Sequence, residues 1–393
     1  MGDSSVSNTE EGVYLDYAAT TPVAPEVAKT MAKFLTIDGV FGNPHSVTHR
    51  FGHAASEAVD EARRHVGRLI GADADEIFWT SGATEAINLA VKGVMLSPRV
   101  QGRHLLVSSL EHKAVLDTAH WLSGEGLEVT YLAPDADGMI TPEVVRTGLR
   151  PDTALVSLMH VNNEVGTVTD IPSVARVVRD NGTLFHVDAV QSAARLPIDV
   201  SLMGVDLLSL SGHKIYGPKG VGALFVSRAV RPLLVPQIHG GGQEGGLRAG
   251  TLATHQVVGL GAAARLINDC QSSDAERVAA IDRRLLGWLE RIDGAVVNGN
   301  RVARVPGILN IAFPRVEAES LMLALGDVAI SAGSACTAAS IEPSHVLEGL
   351  GVTETLALSS VRFSVGRYTT EAEVDFAGQC VNDAVSTLRS IAV

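Results

Sequence analysis

The sequence predicts an α/β fold, with a mainly parallel sheet covered by helices and a second, smaller domain after it. Short β-rich runs alternate with longer amphipathic stretches through most of the chain, as in sheets whose parallel strands are joined by helices. A length of 393 residues allows one or two sizeable cores. Because 46% of the residues are apolar and only 19% are charged, we expect an ordered globular protein.

The predicted elements follow this alternation in order. After about Leu260 the pattern changes to a long helix over residues 274–292, followed by further strands and helices, and this change predicts the smaller domain. Before that point the candidate strands are 76–79, 104–108, 154–159, 183–187, 206–210 and 222–226, and the helices between them include 54–69, 85–95 and 171–179.

Charge and hydropathy narrow the classes of function. The 31 basic and 44 acidic residues give a net charge of −13, and no basic patch opposes that field, so we expect no direct contact with nucleic acid. Residues 1–12 have no apolar core, and no run of about 18 apolar residues occurs. The sequence therefore predicts a cytoplasmic protein without a signal peptide or membrane span.

The cysteines and histidines do not indicate a metal centre. Cys270, Cys336 and Cys380 are too few for a disulfide framework or a four-cysteine site, and their odd number implies a free thiol in a reducing compartment. Three histidines recur at every fourth residue from His45 to His53, but no carboxylate or cysteine joins them. We predict no bound metal.

Polar residues follow nearly every predicted strand. Ligands of open α/β sheets bind at the carboxyl ends of the strands, so five such strand ends predict one shared crevice. The residues at these ends are Ser81 to Thr84, Glu111 with His112, Asn162 with Asn163, Asp188 with Gln191, and Ser211, His213 and Lys214.

Three of these strand ends have a chemical interpretation and a structural alternative. The small residues 81–84 before a helix can form a phosphate cup from backbone N–H groups, or an ordinary N-cap. Asp188 can hold a proton on a heterocyclic ring nitrogen, or cap the next helix. Lys214 can form a Schiff base with an aldehyde cofactor, or lie on the surface of a hairpin.

A glycine-rich stretch offers a weaker alternative. Gly240, Gly242 and Gly245 have the spacing of a dinucleotide-binding turn, but the segment before them is a poor strand and no acidic residue follows at the required distance. Lysine, aspartate and phosphate cup are together the groups that a pyridoxal 5′-phosphate site needs, so we favour that cofactor.

With these residues in view, the chain closely resembles the NifS/IscS-like cysteine desulfurases, which belong to the class-V aminotransferases and to the fold-type-I pyridoxal-phosphate enzymes. The resemblance extends from Tyr14 to about Tyr368, and it is specific as a set although no single motif is. The stretches that carry it are residues 14–21, 80–85, 111–114, 160–166, 187–191, 211–220 and 334–337.

The resemblance implies a role for each site residue. Lys214 is expected to bind the cofactor as a Schiff base and to move the substrate α-proton, and His112 to stack on the ring and assist that transfer. Asp188 is expected to pair with the ring nitrogen and Gln191 to bond the phenolic oxygen. The expected phosphate ligands are Ala83, Thr84, Ser211 and His213, with Thr251 reaching in from a neighbouring subunit.

The resemblance also assigns the substrate groups. Asn163, beside the cofactor, and Arg362 are expected to bind the substrate carboxylate, for which a bidentate arginine is well shaped. Cys336 lies among small residues and on its own is more typical of a small core residue, but the resemblance makes it the nucleophile that attacks the substrate sulfur. Cys270 and Cys380 lie in helical contexts and are expected to pack.

The resemblance further predicts the architecture, namely a mainly parallel seven-stranded sheet with helices on both faces and a smaller α+β domain. We expect a large cofactor-binding domain at residues 22–265, and a small domain made of residues 1–21 with 266–393 that carries the Cys336 loop. The predicted protein is a homodimer that converts L-cysteine to L-alanine. A selenocysteine lyase and a docking protein of a sulfur-modification complex are the alternatives.

Two departures leave the sulfur acceptor open. In the glycine-rich stretch, the family often has a basic residue at the position of Gly245, directly after Glu244. This departure puts in doubt how the glycine-rich wall of the site contacts the substrate or the partner subunit. The chain ends at Val393, and the expectation is that it lacks the C-terminal extension of related housekeeping enzymes. An iron–sulfur scaffold, a tRNA-thiolation enzyme and a DNA-phosphorothioation system are the candidate acceptors.

Overall fold

The structure, a computed structural model, describes residues 12–332 and 343–391. The chain divides into two compact units. The large unit comprises Thr21–Val161 and Thr169–Gln271, and the small unit comprises the chain up to Thr20, Asn162–Val168 and the chain from Ser272 onward. The predicted limits, at residues 21/22 and 265/266, kept residues 162–168 in the large domain, whereas the structure assigns them to the small unit.

The strands of the described residues are short. In chain order they are β1 (Val13–Tyr14), β2 (Ile77–Thr80), β3 (His104–Ser108), β4 (Glu128–Leu132), β5 (Thr153–Met159), β6 (Leu184–Asp188), β7 (Leu207–Ser211), β8 (Gly222–Val226), β9 (Val296–Val297), β10 (Ile308–Ala312), β11 (Val328–Ala329), β12 (Ser331–Ala332) and β13 (Ser360–Ser364).

The α-helices vary more in length. They are α1 (Pro25–Ala32), α2 (Arg50–Ile70), α3 (Ala83–Met95), α4 (Lys113–Gly124), α5 (Pro142–Gly148), α6 (Ile171–Asp180), α7 (Val200–Met203), α8 (Thr254–Leu289), α9 (Ala318–Leu325), α10 (His345–Gly349), α11 (Glu354–Leu358) and α12 (Glu371–Ile391). No helix among the described residues is long and apolar enough to cross a membrane.

The large unit is built on a seven-stranded sheet with the order β2-β8-β7-β6-β5-β3-β4. Neighbouring strands from β4 to β7 are parallel, whereas β8 is antiparallel to both β7 and β2. Since β2 and β7 both oppose β8, they run in the same direction, and six strands end at one edge of the sheet. The predicted mainly parallel sheet is confirmed, and this geometry places the polar strand ends on the same edge.

Apolar strands fill the centre of that sheet. Every residue of β3, β5 and β7 is buried, and α3 packs its buried Ala86, Leu89 and Ala90 into the same core. Strand β4 lies at the edge of the sheet with mixed exposure, and it was not predicted although its sequence, EVTYL, favours a strand.

Two buried histidines join strands inside the sheet. The ring nitrogens of His104 lie 2.8 Å from the hydroxyl groups of both Thr153 and Thr130. His186 in the same way bridges Ser157 at 2.8 Å and Ser209 at 2.9 Å. Burial lowers the pKa of His186 to about 3, so this side chain is neutral and links three strands through hydroxyl groups.

Helix α8 begins well before the predicted helix at residue 274. Its first turns contain Gly259 and Gly261, which weaken a sequence-based helix prediction. Both glycines allow close packing in the large unit, since a Cβ at Gly259 would lie 2.8 Å from Met31 and one at Gly261 only 2.4 Å from Ala62. The glycines are therefore packing sites and do not end the helix.

The small unit has its own core. A four-stranded antiparallel sheet has the order β12-β13-β10-β9, and β1 pairs in parallel with β11. Phe313 and Phe363 are fully buried there, together with Val13 and Leu15 from the beginning of the described chain. This core holds β13, which carries Arg362.

Candidate cofactor and substrate sites

Asp188 lies at the carboxyl end of β6 and is 6% exposed. Its Oδ1 accepts a 2.9 Å hydrogen bond from the Val190 N–H within a turn, and the next helix, α7, is capped by Asp199, so Asp188 does not act as a helix cap. Burial raises the pKa of Asp188, while the Val190 N–H and electrostatic interactions with His112 and Lys214 oppose the shift. A buried carboxylate beside a lysine and a histidine fits the partner of a protonated ring nitrogen.

Lys214 is half-buried in a 3₁₀ turn that follows β7 directly. Tyr216, two residues later, has a φ of 64°, a left-handed conformation that is strained for a tyrosine. The Tyr216 N–H donates to the Thr21 hydroxyl at 2.9 Å, and the Thr21 N–H donates to the His213 carbonyl at 2.8 Å. These bonds fix the backbone of the turn that presents the lysine.

His112 precedes α4 and acts as its N-cap. Its Nδ1 accepts a 3.0 Å hydrogen bond from the Ala114 N–H. An accepting Nδ1 carries no proton, so the neutral ring has its proton on Nε2. The cap therefore fixes the tautomer and makes Nε2 a donor.

The turn after β2 has the features of an anion site. Gly82 precedes α3 with a φ of 153°, and no side chain caps the helix, so the N-cap interpretation of this turn is not supported by a capping contact. Ala83 and Thr84 begin the helix, where backbone N–H groups attract a phosphate. The Glu85 carboxylate pairs with Arg248 at 2.8 Å and accepts the Ser81 N–H at 2.8 Å.

The remaining residues predicted to contact the cofactor lie on the same sheet edge or beside it. Ser211 ends β7 and is buried. Burial, with the charges of Lys214 and Lys219, lowers the pKa of His213 to about 4, so this ring is neutral at pH 7. Gln191 is buried and its Oε1 accepts from Arg195 at 3.4 Å, which presents the amide N–H groups as donors. Together with the uncapped helix, these residues fit a phosphorylated pyridine aldehyde.

Arg362 lies in the small unit and its side chain is only 4% exposed. Its Nη1 donates to the Asn163 carbonyl at 2.8 Å, and its Nη2 donates to Asp16 at 2.8 Å and to Ser331 at 3.3 Å. The buried Nε of Arg362 and the Oδ1 of Asn163 have no hydrogen-bond partner among residues 12–332 and 343–391. A buried guanidinium with an unused N–H fits a carboxylate ligand.

For two predicted site residues, Cys336 and Thr251, the structure gives no contact that bears on their roles. Cys336 lies outside the described residues, so its role stays a prediction. Thr251 is exposed, and its expected contact lies in a second subunit that the structure does not contain. Cys270 and Cys380 are partly buried in α8 and α12.

Sequence reasoning missed three polar contacts. Asp16 was recognised only as part of a motif, and its pairing with Arg362 joins residues far apart in the chain. Glu111 was placed at a strand end, but its bond to the Met159 N–H was not foreseen. No local pattern signals such distant partners.

The third missed contact explains the departure at Gly245. Glu244 pairs bidentately with Arg63, with both N···O distances at 2.8 Å, and accepts from the Trp79 N–H at 2.8 Å. Gly245 has a φ of 62°, and a Cβ there would lie 2.2 Å from a nitrogen of Arg231. Glu244 therefore anchors the glycine-rich stretch, and glycine is favoured at position 245 because the backbone there is left-handed.

Comparison with known proteins adds independent findings. The family model for aminotransferase class-V matches residues 13–376. Cysteine desulfurase IscS of Pseudomonas entomophila (strain L48) is 54% identical over 379 residues, which are 96% of this chain and 94% of the relative.

Solved structures agree with this family in fold. A NifS-like protein has a TM-score of 0.89 and 34% identity, covering 96% of this chain and 100% of that one. A structure described as SspA in complex with cysteine has a TM-score of 0.80 and 40% identity, covering 91% of this chain and 100% of that one. The predicted fold class is confirmed.

Proposed function

The chain belongs to the aminotransferase class-V family, and we propose that it is a cysteine desulfurase that converts L-cysteine to L-alanine and leaves a persulfide on Cys336. Pyridoxal 5′-phosphate is the cofactor of this family. The observation that carries the proposal is the grouping of Asp188, Lys214 and His112 at one edge of the large sheet, where the lysine and the histidine interact electrostatically with the buried carboxyl group. Relatives at 52–54% identity bear the name of this activity.

Each of the residues proposed to bind the cofactor would contact a different part of it. When the cofactor is bound, the Lys214 amine would hold its aldehyde carbon and would then be free to move the α-proton of the substrate. Asp188 would pair with the protonated ring nitrogen, and Ala83, Thr84, Ser211 and His213 would hold the phosphate. The cofactor, when bound, supplies an electron sink for the carbanion at the substrate α-carbon.

His112 and Arg362 act on the substrate in different ways. His112 donates a proton from Nε2, because its Nδ1 is occupied by the Ala114 N–H. Arg362 binds the substrate carboxylate through the N–H that has no partner among the described residues, and Asn163 supplies an amide beside it. The similar solved structure of SspA is a complex with cysteine, which supports cysteine as the substrate class.

The sulfur step balances without an external reductant. The Cys336 thiolate attacks the cysteine sulfur, an S–S bond forms, and the C–S bond breaks with its electron pair going to the β-carbon. The proton of the substrate thiol accounts for the hydrogen that the β-carbon gains, so the carbon is reduced as sulfur is oxidised. A reactive thiolate requires a reducing compartment, so we place this activity in the cytoplasm.

We further propose a homodimer. Leu35, Ile37, Phe41, Val47 and Phe51 are exposed in one stretch of the chain, and the rings of Phe41 and Phe51 are 5.4 Å apart. A cluster of exposed apolar side chains is typical of an interface. A Phe41→Glu variant should be monomeric by light scattering; a wild-type protein that is itself monomeric would contradict the dimer. The sulfur acceptor is a protein of unassigned identity among the three predicted kinds.

Two pairs of variants test the function. Lys214→Ala should lose the visible absorption of the bound cofactor and all activity, whereas Lys219→Ala, at an exposed neighbouring lysine, should keep both. Cys336→Ser should keep the absorption but stop sulfide release from L-cysteine, whereas Cys270→Ser should remain active. A colourless wild-type protein would exclude the cofactor, and full activity of Cys336→Ser would indicate a selenocysteine lyase or an aminotransferase.

A further inference from the structure

Glu111 is a buried carboxyl group for which the proposed mechanism has no use. It lies in the connection between β3 and α4 and is 1% exposed. Its Oε1 accepts a 2.9 Å hydrogen bond from the N–H of Met159, the last residue of β5. Met159 is the register partner of Asp188 on β6. Glu111 therefore joins the β3–α4 connection to the strand beside the predicted ring partner.

The same connection carries His112, the next residue in the chain. Its first part is fixed to β4 and to the end of β3, because the Ser109 N–H donates to the Leu132 carbonyl and the Leu110 N–H donates to the Ser108 hydroxyl. Its last part is fixed by Glu111. The position of the His112 ring relative to Asp188 thus depends on a contact made by Glu111.

Two carboxyl groups at one buried edge do not both ionise easily. Burial raises the pKa of Glu111 well above its ordinary value, and the negative charge of Asp188 adds to this effect against the Met159 N–H. Electrostatic interactions with His112 and Lys214 favour the ionised form of Asp188 instead. The arrangement is consistent with a neutral Glu111 beside an ionised Asp188.

We propose that Glu111 is a positioning residue that, as a neutral hydrogen-bonding group, holds the turn carrying His112 against the end of β5 beside Asp188. The inference rests on the proposed function, since it concerns the surroundings of the cofactor ring. A side chain of the same shape without a charge should perform this task equally well. A side chain that leaves the Met159 N–H without an acceptor should not.

The test compares Glu111→Gln with Glu111→Leu in the full-length holoenzyme. We expect Glu111→Gln to keep kcat for L-cysteine within about threefold of the wild type, while Glu111→Leu lowers kcat by at least about tenfold because a buried N–H loses its acceptor. The pH midpoint of the visible absorption of the bound cofactor should move in Glu111→Leu and stay in Glu111→Gln. If Glu111→Leu does not fold, Glu111→Asp, whose carboxyl is one methylene shorter, replaces it with the same expectation.

His104→Leu is the matched control. It removes buried hydrogen bonds at the opposite end of β3, so it should lower the melting temperature while kcat and the absorption midpoint stay unchanged. The inference is overturned if Glu111→Gln is as impaired as Glu111→Leu, or if Glu111→Leu and Glu111→Asp keep the wild-type kcat and midpoint. A wild-type protein without cofactor absorption would instead overturn the proposed function, so the two failures are distinguishable.

Discussion

Arg63 in the large unit and Arg362 in the small unit are both largely buried and both lie beside a carboxylate, yet their contacts differ. Arg63 engages both oxygens of Glu244, and neither side chain has a buried polar atom without a partner among the described residues. Arg362 engages one oxygen of Asp16 and keeps an unused, buried Nε. We therefore interpret an arginine with no unpartnered buried N–H, such as Arg63, as structural, and one with an unused buried N–H, such as Arg362, as a ligand-binding residue.

The largest effect is expected at Arg362. Arg362→Lys keeps the positive charge but loses the planar guanidinium and its unused Nε–H. We expect kcat/KM for L-cysteine to fall by about a hundredfold to ten-thousandfold, or about 3 to 6 kcal/mol, because the charge-assisted hydrogen bond to the carboxylate and the contacts to Asp16 and Asn163 that orient the guanidinium are lost together. Steady-state alanine formation measures this, and a value within threefold of the wild type would refute a binding role for the open arginine.

Arg63 should affect stability more than turnover. Arg63→Met leaves the buried Glu244 carboxylate without its partner, so we expect the free energy of unfolding to fall by about 3 to 5 kcal/mol. Urea denaturation of the holoenzyme measures the loss. Arg63→Met combined with Glu244→Gln keeps an acceptor for the Trp79 N–H without the unpaired charge, and should be more stable than the single variant. Equal stabilities of the single and double variants would show that the unpaired Glu244 carboxylate is not the cause of the loss.

His186 is a buried titratable side chain that has a hydrogen-bond partner at both ring nitrogens, so the same comparison can be made through its protonation. Both ring nitrogens lie within hydrogen-bond distance of hydroxyl groups, and burial lowers its pKa from 6.5 to about 3. Below pH 6.5 the unfolded chain binds the proton first, so stability is complete above pH 6.5 and falls as the pH decreases toward 3. The contribution of this residue is about 1.4 kcal/mol per pH unit.

The contribution of His186 is measured as a difference. Burial raises the pKa of Glu111, which acts with the opposite sign in acid, so the total slope of the wild type mixes several groups. Denaturation midpoints between pH 7.5 and 5 should decline more steeply in the wild type than in His186→Gln. Parallel declines would show that the histidine does not resist protonation in the folded state.

The smallest effect is expected where a bidentate pair is exposed. Arg284 contacts both oxygens of Asp375 at 2.6 and 2.7 Å, a geometry similar to that of Arg63 and Glu244, but its side chain is 43% exposed. Solvent screens such a pair, so Arg284→Ala should lower the free energy of unfolding far less than Arg63→Met does. A loss comparable to that of Arg63→Met would show that burial does not separate the two pairs.

Local signals account for the parts of the fold and site that could be predicted. A β-rich run followed by a polar residue predicted strands β6 and β7 within one residue and placed Asp188 and Lys214 at their ends. Such pairs lie close together in the chain, and their positions follow from the strand period and the turn after it.

The remainder depends on contacts between distant segments. The Asp16–Arg362 and Arg63–Glu244 pairs leave no periodic pattern, since each partner alone resembles an ordinary charged residue. The start of α8 was missed because the glycines that permit close packing also weaken helix propensity. Cys336 lies outside the described residues, so its role still rests on the resemblance and on the proposed variant.

The antiparallel strand β8 has a consequence for the order in which the protein folds. Among the described strands, β2 pairs only with β8, with Ile77 opposite Phe225, so its place in the sheet does not exist until most of the large unit has been synthesised. The turn at Gly82, which follows β2, also meets Gly222 at the beginning of β8. We therefore expect the phosphate end of the cofactor to be recognised late, by a sheet that is already complete, and not by a nascent chain.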